Sequence, residues 1–329
     1  MKVHVLDDWY DCLRGLPSFA SLNDHEVTVW TDRAPDAATQ AARLKGAEAV
    51  VLFRDRTAIT PELAGALEGV KLIAMRGQHT HVDAEALSRA GVLFCSKMSK
   101  DGPSTSTAEL TFGLIIAALR HLPEQIASAR AGAWQGDAPL GRNVAGKTLG
   151  LYGYGGIATV VAGFGRAFGM RVQAWGSEHS RARADADGLS VPESREAFFA
   201  GSDVVSIHKR LLPETRGEIT ASDLMAMQPN AVLVNTSRAG LIAPGALLAA
   251  LEAGRIGRAA LDVFPGEPVT DPADPLLSHP RVMPTPHVGF VTAEELDKQF
   301  GEIYALINAY AAGAPVEMIN PEVWAADHS

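Results

Sequence analysis

Short apolar runs recur along the chain, bounded by polar or glycine-containing turns and separated by alanine-rich stretches with helical spacing. In the first third these runs are Val3–Leu6, Glu26–Trp30, Ala49–Phe53, Leu72–Met75 and Val92–Cys95. Helical pieces such as Asp36–Leu44 and Pro61–Leu67 lie between them. Strands separated by helices imply parallel pairing and an α/β layer. The polar run Ser99–Thr107 reads as a hinge feeding a helix from about Ala108 to Arg120. A second series opens at Lys147, with strands Thr148–Gly153, Arg171–Trp175, Asp203–His208, Ala231–Thr236, Ala259–Phe264 and Arg281–Pro284. Helices are expected after the first of these, through about Phe168, and over Pro244–Glu252. The result is a doubly wound sheet with its loops gathered at the carboxyl ends of the strands. A last helix, Ala293–Ala311, is apolar on one face and is expected to cross back and complete the first unit.

A chain of 329 residues suggests two domains. The boundaries read from the pattern are 1–98 with 290–329 for the first, which is discontinuous, and 99–289 for the second. Composition adds exclusions. The balance of 29 basic against 38 acidic residues gives −9, which argues against a nucleic-acid partner. The two cysteines, Cys12 and Cys95, lie in apolar surroundings and fit reduced thiols in a cytoplasmic protein. Met1–Leu6 runs straight into a strand pattern without a signal-peptide core, and the most apolar stretch, Leu110–Leu119, is far short of a membrane span. No membrane contact and no metal site are expected.

The first candidate chemistry is the turn Gly153-Tyr154-Gly155-Gly156-Ile157-Ala158, which follows a strand and opens a helix. Gly153 and Gly155 permit a tight turn and close backbone approach, and the helix start offers free N–H groups to a dinucleotide pyrophosphate. Gly153, Tyr154, Gly155, Gly156 and Ile157 are therefore the cofactor candidates, joined by Ser177, His208 and Thr236 at later strand ends. An acidic residue usually follows the second strand and binds the ribose hydroxyls. Here that position is Gly176, followed by Ser177, with Glu178 nearby. Ser177, His179, Ser180, Arg181 and Arg183 could instead receive a 2′-phosphate, or the arginines could merely solvate a helix face, so NAD and NADP both remain open. Lys209-Arg210 is a second candidate phosphate contact.

Three later segments each release one polar residue from an apolar stretch: Val234–Gly240 gives Arg238, Ala260–Pro268 gives Glu267, and Thr285–Gly289 gives His287. An arginine fork can hold a carboxylate bidentately while polarising the adjacent keto oxygen. Charge growing on that oxygen during hydride transfer is stabilised by Arg238. His287 then donates the proton, or removes it in the oxidative direction, and Glu267 orients the ring and favours its protonated form.

With these motifs in this order, the chain resembles the D-isomer-specific 2-hydroxyacid dehydrogenase family over nearly its whole length. The resemblance implies two Rossmann-like domains, the first binding substrate and the second the dinucleotide. It further implies catalytic roles for Arg238, Glu267 and His287, an approach of Asp262 to the nicotinamide carboxamide, and a homodimer through the cofactor domain. Trp134 is expected in that dimer contact. In the family a glycine-rich turn of the first domain forms the other wall of the site. Here it reads Gly77-Gln78-His79, with Gln78 and His79 presenting amides to the substrate carboxylate and His79 where the family has a second glycine. Arg76 and His81 flank it, adding positive potential or serving as solvated loop charges. The expected partner is a small anionic 2-keto or 2-hydroxy acid of the glyoxylate or hydroxypyruvate kind. The alternatives are a relative that oxidises another small anion, such as formate or phosphite, and a non-catalytic dinucleotide-sensing scaffold.

Overall fold

The computed structural model describes residues 1–98 and 105–327, so most of the polar run expected as a hinge lies outside the described residues. The chain divides into two compact units, Met1–Gly102 with Val291–Ser329, and Pro103–Phe290.

In the first unit, strands β1 (Lys2–Val5), β2 (Glu26–Val29), β3 (Ala49–Val51), β4 (Leu72–Arg76) and β5 (Leu93–Lys97) form one sheet in the order β2-β1-β3-β4-β5. Every neighbouring pair is parallel, with Val3 opposite both Val27 and Ala49. Helices α1 (Ala37–Arg43), α2 (Pro61–Gly65) and α3 (Ala84–Arg89) make the crossovers. Each begins at a side chain that accepts from an otherwise orphaned first-turn amide: Asp36 from Thr39, Thr60 from Leu63 and Asp83 from Ala86. The core between these helices and the sheet is built from Leu6, Val50, Ile73 and Phe94, all essentially excluded from water.

The second unit begins with α4 (Thr105–Leu119) and α5 (Leu122–Arg130). It continues through β6 (Thr148–Tyr152), α6 (Gly156–Ala167), β7 (Arg171–Trp175), α7 (Glu178–Ala186), α8 (Arg195–Gly201), β8 (Val204–Ile207) and α9 (Ala221–Ala226). It ends with β9 (Val232–Asn235), α10 (Ala246–Glu252), β10 (Arg258–Leu261) and β11 (Val282–Pro284). The sheet order is β11-β10-β9-β8-β6-β7, again parallel throughout. Between β6 and β8 the direction of winding reverses, and in open α/β sheets that crevice is where ligands bind. The chain then returns to the first unit as α11 (Ala293–Ala311) and α12 (Pro321–Asp327). Helix α11 buries Phe300, Ile303 and Tyr304, and Phe300 meets Phe53 edge to face at 4.7 Å.

Both sheets and α11 match the expected pattern, but several helices were not read from it. α4 starts at Thr105, taking in three residues assigned to the hinge. α5 follows a break at His121, whose φ is +50°, and only Ser128 on it is buried. α7 buries only Ala184. Helices with so little apolar face leave no periodic signal. Among the described residues no helix is long and apolar enough to cross a membrane. Trp134 stands 76 % exposed.

Glycine inside β6 has a steric cause. A Cβ on Gly150 would lie 2.9 Å from the ring of Phe198 in the middle of α8 and 2.2 Å from Oγ of Ser202, which caps that helix. Gly150→Ala should therefore destabilise the second unit by about 2 kcal/mol, as overpacking does. Denaturant unfolding tests this, and an unchanged midpoint would show that α8 yields freely.

Candidate active site

The carboxyl-end loops of β9, β10 and β11 carry the functional candidates, and one network ties them together. Asn235 closes β9 with its side chain turned onto the loop that follows. Its Oδ1 accepts from the Ser237 amide at 3.0 Å and its Nδ2 donates to the Arg238 carbonyl at 3.1 Å. Ser237 Oγ donates to the Lys209 carbonyl at 2.6 Å, which pins the loop to the end of β8. Arg238 is thereby held at an exposed position, its Nη1 donating to the Ser237 carbonyl at 2.8 Å. Thr236 is buried, its hydroxyl 2.7 Å from that of Thr111 on α4.

The Asn235 carbonyl in turn accepts from the Asp262 amide at 2.9 Å. Asp262 has no solvent exposure. Its Oδ1 accepts from Thr285 Oγ1 at 2.5 Å and the Val288 amide at 2.8 Å, and its Oδ2 accepts from the Gly289 amide at 2.8 Å. Burial raises the Asp262 pKa, against the pull of these three bonds. The residue expected at the nicotinamide thus holds the Thr285–Gly289 loop.

At the centre of that loop His287 has φ +54°, a left-handed conformation that is costly for a non-glycine residue. Its Nδ1 lies 2.6 Å from Glu267 Oε2, and Glu267 Oε1 accepts from the Phe264 amide at 2.7 Å. A carboxylate only accepts, so Nδ1 carries the proton of this bond. Phe290 meets the imidazole edge-on at 5.9 Å, and the His287–Glu267 pair is half-buried.

Gly153 has φ +95°, and a Cβ there would meet the His208 carbonyl oxygen at 2.7 Å, so only glycine fits at the β6–β8 crevice. Gly155 is the N-cap of α6 with no side-chain cap, and a Cβ on it would meet nothing within 4 Å. The first turn at Gly156 and Ile157 therefore opens onto a cradle suited to an anion. Tyr154 is buried and donates to Asp187 Oδ2 at 3.0 Å. His208 shares a hydrogen with Ser206 Oγ at 2.9 Å, and burial holds its imidazole down to about 4.

These features carry the functional assignment when set beside known proteins. Residues 112–289 match the model of the D-isomer specific 2-hydroxyacid dehydrogenase NAD binding domain. This chain belongs to the D-isomer specific 2-hydroxyacid dehydrogenase family. It is 40 % identical to a phosphoglycerate oxidoreductase structure from Vibrio cholerae, covering 95 % of this chain and all of that one with a TM-score of 0.90. The pyruvate reductase of Chlamydomonas reinhardtii superposes with a TM-score of 0.82 at 28 % identity, covering 96 % and 98 % of the two chains. A D-3-phosphoglycerate dehydrogenase of Methanocaldococcus jannaschii is 35 % identical over 264 residues, which are 80 % of this chain and 49 % of that protein. The chain spans about half the length of the curated relatives it matches.

In this family member the end of β7 is built without a carboxylate. At Gly176 a Cβ would lie 3.2 Å from Ser180 and 3.4 Å from the Gly153 Cα. Ser177 caps α7, accepting from the Ser180 amide at 3.3 Å. Arg181 lies over the Trp175 ring at 4.7 Å and donates to the Gly176 carbonyl at 3.2 Å. Arg183 lies over Tyr154 at 5.7 Å and donates to Thr159. Lys209, expected as a phosphate contact, is instead held by Glu218, with both oxygens 2.5 Å from its Nζ.

The first unit carries the remaining candidates. Gly77 has φ +100°, donates its amide to the Lys97 carbonyl at 3.0 Å and accepts from Ser96 Oγ at 2.9 Å. Gln78 is exposed, while the His79 ring packs edge-on against Phe94 at 5.2 Å. Arg76 is paired with Glu302, and burial lowers the His81 pKa. The free thiols Cys12 and Cys95 are pushed up by burial, to about 11 and about 12, and are not nucleophiles at neutral pH. Asn235 and Thr285 went unassigned in the sequence. A short amide side chain closing a strand, two residues before a serine amide, was the signal for the first.

His208 sets a pH dependence. With a folded value near 4 against an ordinary value of 6.5, the unfolded chain binds more protons between those two pH values. Stability should therefore fall as pH drops through that window, by about 2–3 kcal/mol from this group. His208→Gln should flatten the slope of unfolding free energy against pH between about 6.5 and 4. An equal slope in parent and variant would assign the acid sensitivity elsewhere.

Proposed function

We propose that this protein is a nicotinamide-dependent oxidoreductase that interconverts a small 2-keto acid and its D-2-hydroxy acid. The observation that carries this reading is the 2.6 Å bond between His287 Nδ1 and Glu267 Oε2, on a loop anchored by Asp262. The glycine cradle between β6 and α6, with Gly153, Tyr154, Gly155, Gly156 and Ile157, would hold the dinucleotide, and His208, Thr236 and Ser177 line the same strand ends. When bound, the nicotinamide supplies the hydride in reduction and accepts it in oxidation.

Arg238 binds the substrate carboxylate and polarises the keto oxygen, stabilising the negative charge that grows there. His287 delivers a proton to that oxygen from Nε2 as the carbonyl carbon becomes the carbinol, and withdraws it in the reverse direction. Glu267 fixes the ring by its bond to Nδ1 and stabilises the imidazolium from which the proton leaves. Asp262 acts on the geometry of the His287 loop. In the first unit, the amides of Gln78 and His79 after Gly77 are the candidates for the carboxylate.

Two finer features follow. Gly176 leaves no carboxylate at the usual ribose position after β7, Glu178 standing two residues on, and Ser177 and Arg181 follow it, which favours NADPH over NADH. Beside the Gly77 turn proposed for the carboxylate, Arg76 is already neutralised by Glu302. That favours an unphosphorylated acid.

His287→Asn should lower kcat by about 10²–10⁴ with ketoacid, the usual value of a positioned acid. Dinucleotide affinity, read by quenching of protein fluorescence, should stay within a few-fold. Loss of dinucleotide binding would make the histidine structural. Arg238→Lys should cut kcat/KM by about 10²–10³, as removal of one oxyanion donor does; near-parental turnover would remove Arg238 from the chemistry. In steady-state assays with glyoxylate and hydroxypyruvate, NADPH should exceed NADH in kcat/KM by about tenfold, the value of one charge-assisted hydrogen bond. Arg181→Ala should erase that preference. Faster turnover of phosphohydroxypyruvate than of hydroxypyruvate would overturn the assignment of an unphosphorylated substrate.

A further inference from the structure

A second cationic site lies at the opposite edge of the same sheet, where β9, β10 and β11 begin. A cavity of about 340 Å³ is lined there by His121, Arg142, Asn230, Gly257, Arg258 and Arg281, among others. Nothing in the proposed reaction uses it. Arg258 is the first residue of β10 and is only 7 % exposed, so its charge requires partners. Glu124 of α5 supplies one through the Arg258 Nη2, and His121 Nδ1 lies 3.2 Å from the same nitrogen. The pairing is incomplete. Arg258 Nε is buried with no hydrogen-bond partner, and so is Nη1 of Arg142, whose Nη2 donates to the Asn230 carbonyl. Arg281 donates to the Leu251 carbonyl at 3.4 Å.

Three fixed cations stand against one carboxylate. Burial lowers the His121 pKa, and Arg258 and Arg142 lower it further despite Glu124, so the ring adds no charge at neutral pH. Two guanidinium N–H groups on residues of the cavity wall are buried without acceptors, and planar guanidinium groups match the oxygens of an oxyanion. Glu124 Oε2 is also buried without a partner, and it needs a donor.

We propose that this cavity is a binding site for a phosphate-class oxyanion, separate from the glycine cradle and from Arg238. Hydrogenphosphate offers oxygens to Arg142, Arg258 and Arg281 and a P–O–H hydrogen to Glu124. Sulfate offers only the oxygens. The site therefore prefers phosphate to sulfate. Its ligand is either inorganic phosphate or the phosphoryl group of a small metabolite, which retains an ionisable hydroxyl below its second pKa.

The test is thermal unfolding of the full chain with saturating NADPH, which fills the dinucleotide's own phosphate site, at constant ionic strength set by chloride. Inorganic phosphate should raise the midpoint saturably and more than sulfate does. Half-saturation should weaken at least about tenfold in both Arg142→Met and Arg281→Ala, equivalent to the loss of about 1.4 kcal/mol. Both variants should keep parental turnover of ketoacid in phosphate-free buffer. Arg281 is exposed, so its variant folds even if the more buried Arg142 does not tolerate change. A parallel titration with glycerol phosphate identifies the source, tighter binding of the ester meaning a phosphorylated metabolite and tighter binding of phosphate the free ion. A saturable effect that survives in Arg238→Ala supports the site. One lost in Arg238→Ala and kept in Arg142→Met and Arg281→Ala places the anion at the catalytic arginine and overturns the proposal, as does the lack of any effect beyond that of chloride.

Discussion

One buried carboxylate holds the carboxyl edge of the second unit's sheet together. Asp262 accepts two backbone amides and a hydroxyl from a single five-residue loop, and its own amide is tied back to Asn235. A charge without solvent needs such a set of donors, because the alternative is an unsatisfied ion in a low dielectric. Its requirement for donors fixes the path of the loop, and the loop's path forces His287 into a left-handed backbone conformation. Glu267 then bonds the histidine at Nδ1, and Nε2 is the nitrogen given the proton transfer in the proposed reaction. The strain at His287 is compensated by bonds made at Asp262, on a neighbouring strand end.

The anion site proposed above depends on how the cations of an acidic protein are matched. In the second unit Lys209 is matched by Glu218 and Arg195 by Asp223, and within the first unit Arg76 is matched by Glu302. Such pairs contribute order more than charge. Arg238 sits at an exposed turn whose backbone is fixed by Asn235 and Ser237, so its guanidinium is presented from a rigid base.

Much of this was legible in the residues themselves. The apolar strand runs and the glycine turn gave both sheets, because a parallel strand buried on two faces leaves a strong local signal. The bounds of α11 were legible for the same reason, since one face of it is continuously apolar. What the pattern did not carry was the set of short or exposed helices α5, α7, α8 and α9, whose stability comes from caps and tertiary contact. At the site, the pairing of a glutamate and a histidine twenty residues apart is a tertiary fact that motif order alone brought within reach. Asn235 and Thr285 were hidden because hydrogen bonds between loops have no periodicity. Lys209 looked available only because Glu218 lies nine residues away, with no local pattern linking them.

The interruption of the first unit has a consequence for how the chain is made. Strands β1 to β5 leave the ribosome complete, but the helix that buries Phe300, Ile303 and Tyr304 in the same unit comes only after the whole of Pro103–Phe290. At translation rates of about 5–20 residues per second, that delay lasts on the order of ten seconds or more. Through it, Phe53 and the apolar surface beside it lack the aromatic cover that α11 brings. The second unit, continuous in sequence, can close first. The nascent chain thus carries an open sheet tethered to a finished domain, and crowding or chaperone supply should bear on its yield through that unfinished half alone.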